Sequence, residues 1–216
     1  MSKFKLSRPV LCLITDPDSP NLIQAAEIAL SAGVNMVQLR GHQLSAADMY
    51  TLALTLRPLC QRYAAAFIVN DRVDVGLAVG TEGFQLGRRS LPLPVVRQLV
   101  GEDYLLGASV HSQEEAQVAV ANGADFLIAG TIFASRSHPG GPPSGLNLLR
   151  NIKQALPTYP LLAIGGITPE NAGQAIAAGA DGVAVISAIL GATGIARAVQ
   201  ELCTTIGLQH GKEVTT

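Results

Sequence analysis

Apolar and polar positions follow a pattern that occurs four times along the chain. A helical stretch ends in small residues and a glycine, a polar residue follows, and a nearly uninterrupted apolar run comes next. The four copies are 31–40, 78–87, 121–130 and 177–187. Glycine readily adopts the left-handed conformation that ends a helix. Runs that are apolar throughout are typical of strands buried on both faces, as in a parallel sheet covered by helices.

The same pattern predicts eight strands that alternate with eight helices. The strands are 10–15, 36–40, 67–70, 83–87, 105–109, 126–129, 161–164 and 182–186, and the helices are 21–32, 45–63, 73–79, 93–100, 112–122, 146–155, 168–178 and one near 193–202. We therefore predict an α/β fold, a single-domain (β/α)8 TIM barrel over 1–208, followed by a polar, flexible tail at 209–216. An open doubly wound sheet is the alternative, although the chain lacks the Gly-x-Gly-x-x-Gly loop of that fold.

Composition narrows the classes of function. The 216 residues are 48% hydrophobic and 14% charged, with a net charge of -1. This balance excludes a largely disordered chain and argues against a nucleic-acid binder held by bulk electrostatics. No apolar run is long enough to cross a bilayer. Cys12, Cys60 and Cys203 form no CxxC pair, so we expect buried free thiols in a reducing compartment. We expect a cytoplasmic protein without nucleic-acid or membrane partners, and the composition is compatible with a homodimer.

In a barrel of this kind the functional residues lie at the carboxyl ends of the strands. The residues predicted there are rich in cations and amide donors, which indicates a small anionic ligand. Gly165 and Gly166 after the seventh strand, with Ile186 and Ser187 after the eighth, are typical of a phosphate site, because glycine lets the backbone approach the anion closely. The alternative is a tight turn that needs glycine for its geometry alone.

Several single residues have two interpretations. Asp71 could help to hold Mg²⁺ beside phosphate oxygens, or it could cap the helix that begins at Val73. Arg40 could clamp a phosphate or form a salt bridge at the rim. His42 and His138 could reach a ligand or be exposed to solvent. The segment 130–145 is rich in glycine and proline and is too long for an ordinary connection, so it is typical of a lid or ligand clamp.

Seven motifs at the predicted strand ends resemble the thiamine phosphate synthase / thiazole tautomerase (TenI) family. In chain order they are LITD at 13–16, VQLR at 37–40, VNDRVD at 69–74, GASVHS at 107–112, GTIF at 130–133, AIGGIT at 163–168 and AVIS at 184–187. The resemblance implies a (β/α)8 barrel that binds a small phosphorylated thiazole and, in the synthase branch, a pyrimidine pyrophosphate.

The resemblance also implies roles for individual positions. Gln38 and the segment to His42, with Asn70 and Ser109, would face the pyrimidine pyrophosphate, and Asp71 would hold Mg²⁺. The residues implied to hold the thiazole phosphate are Ser135, Ser137, Gly165, Gly166, Ile186 and Ser187. Magnesium is expected only if the chain is synthase-like, and otherwise no cofactor is expected.

This chain departs from the synthase branch at three places. Gly41-His42 replaces a Glu-Lys pair, Ser90 replaces a second metal-binding aspartate, and residues 135–138 replace a Thr-x-Thr-Lys motif. The tautomerase branch carries a histidine where this chain has Thr131. A leaving pyrophosphate needs fixed cations, whereas a proton shift on a thiazole carboxylate phosphate needs an acid or base.

Several residues that bind the metal ion and the pyrophosphate in the synthase branch are replaced in this chain. We therefore prefer a thiazole tautomerase, with His138, His42 and Arg40 as candidate catalytic residues. Thiamine-phosphate synthase is the alternative. A third hypothesis is a non-catalytic binder or regulator that recognises thiazole phosphate.

Overall fold

Eight parallel strands close into a barrel in a computed structural model that describes residues 6, 8–135 and 142–209. The strands are β1 (Val10–Ile14), β2 (Met36–Leu39), β3 (Ala66–Asn70), β4 (Gly83–Leu86), β5 (Leu105–Val110), β6 (Phe126–Ala129), β7 (Leu161–Ile164) and β8 (Gly182–Val185). Each strand pairs with its successor, and β8 pairs with β1 through Val10 and Gly182, Leu11 and Val183, and the positions that follow. The predicted barrel is therefore confirmed, and the open-sheet alternative is wrong.

Helices cover the outside of the barrel. They are α1 (Leu22–Ala32), α2 (Ala46–Arg62), α3 (Val73–Val79), α4 (Leu93–Val100), α5 (Gln113–Ala121), α6 (Gly145–Ala155), α7 (Pro169–Ala177), α8 (Ser187–Leu190) and α9 (Ile195–Ile206). Among the described helices, none combines the length and the hydropathy that a bilayer crossing requires.

The C-terminal helices differ from the prediction. The four-residue α8 was not predicted, because one turn is too short to show a helical period. The predicted helix near 193–202 begins at Ile195 and runs on to Ile206, since buried residues continue along one face as far as Ile206. Gly207, at φ 74°, then ends it. Of the predicted tail, 210–216 lies outside the described residues.

The polar residue of each sequence repeat has a specific structural task. In every copy it precedes an even-numbered strand, and its side chain accepts a hydrogen bond from a backbone N–H near the start of the preceding strand. The four bonds join Asn35 to Leu11, Glu82 to Phe67, Asp125 to Leu106 and Asp181 to Leu161, at 2.8–2.9 Å. The polar residue of the repeat therefore connects neighbouring strands by a hydrogen bond at the amino-terminal end of the barrel, opposite the predicted site.

Asp125→Ala is expected to lower the free energy of unfolding by about 2–3 kcal/mol. Asp125 also accepts a 2.6 Å hydrogen bond from Arg97, whose side chain is 15% exposed. The substitution leaves that guanidinium and the Leu106 N–H without their carboxylate partner. Urea denaturation measures the change. The exposed Asp18 provides the control, since Asp18→Ala should alter stability by less than about 0.5 kcal/mol. Equal changes in the free energy of unfolding for the two substitutions would contradict the role of Asp125 in connecting neighbouring strands.

The interior of the barrel determines where a ligand can lie. Its lower part is filled by apolar side chains such as Met36, Ile68 and Phe126, all of which are buried. Because side chains alternate along a strand, the next inward positions after Met36 and Ile68 are Gln38 and Asn70. The floor of the barrel is thus apolar, and its carboxyl-terminal mouth is polar.

Candidate functional site

A cavity of about 290 Å³ opens at the carboxyl ends of the strands. The structure brings together there all the described candidate residues, which are Gln38, Arg40, His42, Asn70, Asp71, Ser109, Ser135, Gly165, Gly166, Ile186 and Ser187. Ser137 and His138 lie outside the described residues. The described candidates therefore belong to one site, and their individual roles stay predictions.

One wall of the cavity is an amide network. The buried Gln38 donates from Nε2 to Oδ1 of Asn70 at 2.9 Å. Asn70 in turn donates from Nδ2 to Oδ2 of Asp71 at 2.7 Å. Because each amide is held by its neighbour, the carboxylate of Asp71 is oriented from the end of β3.

Asp71 adopts a left-handed backbone conformation, with φ 59°. Its Oδ1 accepts a hydrogen bond from the hydroxyl of Ser90 and another from the N–H of Gly87 at 3.3 Å. Arg72 is the N-cap residue of α3, and no side chain caps that helix. The interpretation of Asp71 as a helix cap is therefore wrong, and its carboxylate lines the cavity instead.

The possible metal ligands at this point are few, namely the carboxylate oxygens of Asp71 and the hydroxyl oxygen of Ser90. Within the described part of the chain, no three His, Cys, Asp or Glu side chains form a cluster that could hold a metal ion by themselves. Mg²⁺ is often bound through one or two carboxylates, with substrate phosphates and water as its other ligands. The Asp71 carboxylate beside the Ser90 hydroxyl fits that mode of binding.

Cationic and imidazole groups surround the same end of the cavity. Arg40 donates from Nε to Nε2 of His42 at 3.0 Å, and Nδ1 of His42 lies 3.9 Å from Oδ2 of Asp71. Arg88 and Arg89 also line the cavity, and Arg88 forms a 2.9 Å ion pair with Glu115. Both arginines are also exposed to solvent.

The opposite wall is formed by backbone. Gly165 and Gly166 have φ values of 99° and 62°. A Cβ atom at Gly166 would lie 2.3 Å from the carbonyl oxygen of Ala134. Asn171 donates to the Gly166 carbonyl at 2.8 Å and so anchors the turn to α7. Glycine is required here for a close approach to the segment after β6, and the turn opens onto the cavity beside Ser187.

Gln85 and His111 also line the cavity, although neither was assigned a role from the sequence. Gln85 is 1% exposed and donates from Nε2 to the Ser109 hydroxyl at 3.0 Å, whereas its Oε1 lacks a hydrogen-bond partner among the described residues. Nδ1 of His111 contacts the Gly130 carbonyl at 2.6 Å. The alternation of β4 could have indicated Gln85, because Phe84 and Leu86 face the helices.

The cysteines are unsuited to nucleophilic chemistry. All three are buried free thiols, as predicted. Burial raises the pKa of Cys12 far above its ordinary value, that of Cys60 to about 12 and that of Cys203 to about 11. The thiolate is the nucleophilic form of cysteine, so these side chains act in packing.

Comparisons with known proteins agree with the fold and identify a family. A model of the thiamine monophosphate synthase family matches residues 11–189. The thiamine-phosphate synthase of Moorella thermoacetica is 44% identical over 185 residues, which cover 85% of this chain and 88% of the relative. That of Gloeobacter violaceus is 43% identical over 190 residues, which cover 88% of this chain and 55% of the longer relative.

A solved structure extends the likeness to three dimensions. Thiamine phosphate pyrophosphorylase from Pyrococcus furiosus superimposes with a TM-score of 0.85 at 38% identity, and the match covers 92% of this chain and 95% of that one. The chain therefore belongs to the thiamine monophosphate synthase family of enzymes.

Proposed function

We propose that this chain is a thiamine-phosphate synthase, which joins an aminopyrimidine diphosphate to a thiazole phosphate and releases diphosphate. The observation that carries the proposal is that one cavity has two ends, each lined by groups suited to bind an anion. Asp71 and the arginines lie after β2, β3 and β4, while Gly165, Gly166 and Ser187 lie after β7 and β8. The names of the relatives favour this reaction over the proton shift that the sequence analysis preferred.

The reaction exchanges one bond for another. The C–O bond between the pyrimidine methylene and the diphosphate breaks, and the diphosphate keeps the electron pair. The lone pair of the thiazole nitrogen then forms the new C–N bond, which gives a thiazolium without loss of a proton. The main demand on the protein is therefore to stabilise the charge that accumulates on the leaving diphosphate.

The side chains after β2 and β4 meet that demand. The guanidinium groups of Arg40, Arg88 and Arg89 border the cavity near Asp71, and arginine suits phosphate oxygens because its donors form a planar fork. Asp71, with the Ser90 hydroxyl beside it, would hold Mg²⁺. When bound, the ion supplies positive charge to the diphosphate. The apolar side chains of Ile128, Ile164 and Ala184 also line the cavity and limit the water that could intercept a carbocation.

A proton shift on a thiazole carboxylate phosphate is the second candidate. Ser90 stands where the resemblance places a second carboxylate, and the imidazoles of His42 and His111 line the cavity. Neutral imidazole can take up or deliver a proton near neutral pH. The proton shift would use the same phosphate-binding wall and would need no metal.

The decisive experiment is an assay with aminopyrimidine diphosphate, thiazole phosphate and Mg²⁺, in which thiamine phosphate is detected as fluorescent thiochrome after oxidation. Product that requires all three components supports the proposal. Absence of product when the enzyme exceeds the substrates contradicts it. A parallel sample with the thiazole carboxylate phosphate in D₂O reports the proton shift by deuterium incorporation. If neither reaction occurs but thiazole phosphate raises Tm, the chain is a binder.

Ser90→Asp is expected to lower the Mg²⁺ concentration for half-maximal synthase activity by about tenfold, because the affinity of such a site rises with the number of charged ligands. Without Mg²⁺ the new carboxylate repels Asp71, so Tm should fall, and Mg²⁺ should restore it. Ser90→Asn is the control, since it has the same size without the charge. A similar response of the Asn variant would contradict the electrostatic explanation.

A further inference from the structure

The contact between Arg40 and His42 determines which nitrogen of the imidazole carries a proton. Arg40 directs Nε–H at Nε2 of His42, and the two nitrogens are 3.0 Å apart. A guanidinium has only donors and keeps its proton in proteins. Nε2 of His42 must therefore present its lone pair, and the proton of the neutral ring must be on Nδ1. In free neutral histidine in water the other tautomer, with the proton on Nε2, is the more populated one.

Two hydrogen bonds hold the backbone of Arg40 in place, and this supports the position from which its side chain selects the tautomer of His42. Its N–H donates to Oγ1 of Thr15 at 2.9 Å, and the hydroxyl of Thr15 donates back to the carbonyl oxygen of Arg40 at 3.1 Å. Thr15 is 1% exposed. Arg40 therefore leaves β2 from an anchored position, with His42 two residues further along.

The other ring nitrogen of His42, Nδ1, lies at the end of the cavity where we expect an anion to bind. Nδ1 of His42 lies 3.9 Å from Oδ2 of Asp71, which is too far for a direct hydrogen bond. His42 also borders an adjoining cavity of about 240 Å³, which Asp71, Arg72 and Arg89 line as well. A proton on Nδ1 is thus directed towards oxygen atoms at the Asp71 end.

We propose that Arg40 is a positioning residue that holds His42 in the Nδ1–H tautomer, so that His42 donates a hydrogen bond to a diphosphate oxygen beside Asp71. The tautomer follows from the contact itself, and the assignment of the acceptor rests on the proposed synthase function. His42 then acts as a neutral, oriented donor at a position where the resemblance implies a lysine. The charge beside the diphosphate comes from the arginines instead.

Nitrogen-15 NMR of histidine-labelled protein reads the tautomer directly, because protonated and unprotonated ring nitrogens resonate far apart. Spectra are recorded about two pH units above the ordinary histidine pKa of about 6.5. The His42 signals are those lost in His42→Asn. We expect the proton of His42 to lie mainly on Nδ1 in the unaltered chain and mainly on Nε2 in Arg40→Met. The exposed Arg62 provides the control, because Arg62→Met should leave the signals unchanged. A proton mainly on Nε2 in the unaltered chain overturns the proposal.

The proposed hydrogen bond from Nδ1 of His42 to a diphosphate oxygen is tested by measuring the binding of inorganic diphosphate. The amide of Asn can replace the donor at Nδ1, whereas that of Gln reaches only the position of Nε2. We therefore expect His42→Gln to bind diphosphate about tenfold more weakly than His42→Asn, as for loss of one charge-assisted hydrogen bond. Equal affinities overturn the donor role. Thiamine phosphate formation is measured separately, so a chain that has the Nδ1–H tautomer but no turnover contradicts the proposed function and leaves the assignment of the tautomer standing.

Discussion

Asp71→Asn is expected to lower kcat/KM for thiamine phosphate formation by about 100- to 1,000-fold, the range observed when a group that stabilises transition-state charge is removed. Asp71 is the carboxylate among the described residues that line the main cavity. Its loss removes the proposed ligand of Mg²⁺ and leaves the diphosphate without the ion's charge. The effect should be measured with thiazole phosphate saturating, the aminopyrimidine diphosphate varied and Mg²⁺ titrated, because excess Mg²⁺ should recover only part of the rate.

The protein should still fold after this change. Asparagine, like aspartate, tolerates the left-handed conformation that Asp71 adopts at φ 59°. Its remaining oxygen can still accept hydrogen bonds from Ser90 and Gly87. Asp74→Asn is the matched control, since Asp74 is on α3 and pairs with Arg72 rather than lining the main cavity. Comparable losses of activity in the two variants would contradict the role of Asp71.

The barrel could be predicted because each copy of its repeat is a short, contiguous pattern in the sequence. Each glycine and polar residue of the repeat serves contacts that recur in every copy, from the end of a helix to the hydrogen bond between neighbouring strands. The hydrogen bond that the Leu161 N–H donates to Asp181 is equivalent to the one that the Leu11 N–H donates to Asn35. A local pattern with a constant structural purpose can be recognised even where the residue identities change.

The position of the site was predictable for the same reason, but its internal contacts were not. Strand order places Asn70 and Gln85 at the mouth of the barrel. That Asp71 contacts Ser90 rather than capping α3 depends on the path of the chain after β4, which has no periodic signal. The contact between Arg40 and His42 likewise depends on side-chain rotamers. Hydrophobic patterning specifies elements and faces, whereas such contacts depend on loop geometry.

The largest expected effect on the proposed phosphate-binding wall comes from Gly166→Ala. The backbone at Gly166 has φ 62°, and an added Cβ atom would lie 2.3 Å from the carbonyl oxygen of Ala134 and 2.9 Å from atoms of Phe133. Those neighbours include backbone, so the turn itself must move. A displacement of about 1 Å at a substrate-positioning group can lower the rate about 100-fold. We expect a loss of that size in kcat/KM for thiazole phosphate, carried mainly by a higher KM.

Gly207→Ala separates the loss of fit from the cost of the backbone conformation. Gly207 has φ 74° at the end of α9, and an added Cβ atom would meet no atom within 4 Å. Both substitutions place alanine in a left-handed conformation, which costs about 1–2 kcal/mol of stability. Only Gly166→Ala adds a collision at the cavity. Calorimetry with thiazole phosphate should therefore give weaker binding for Gly166→Ala and unchanged binding for Gly207→Ala. Unchanged binding in both would place the phosphate elsewhere in the barrel mouth.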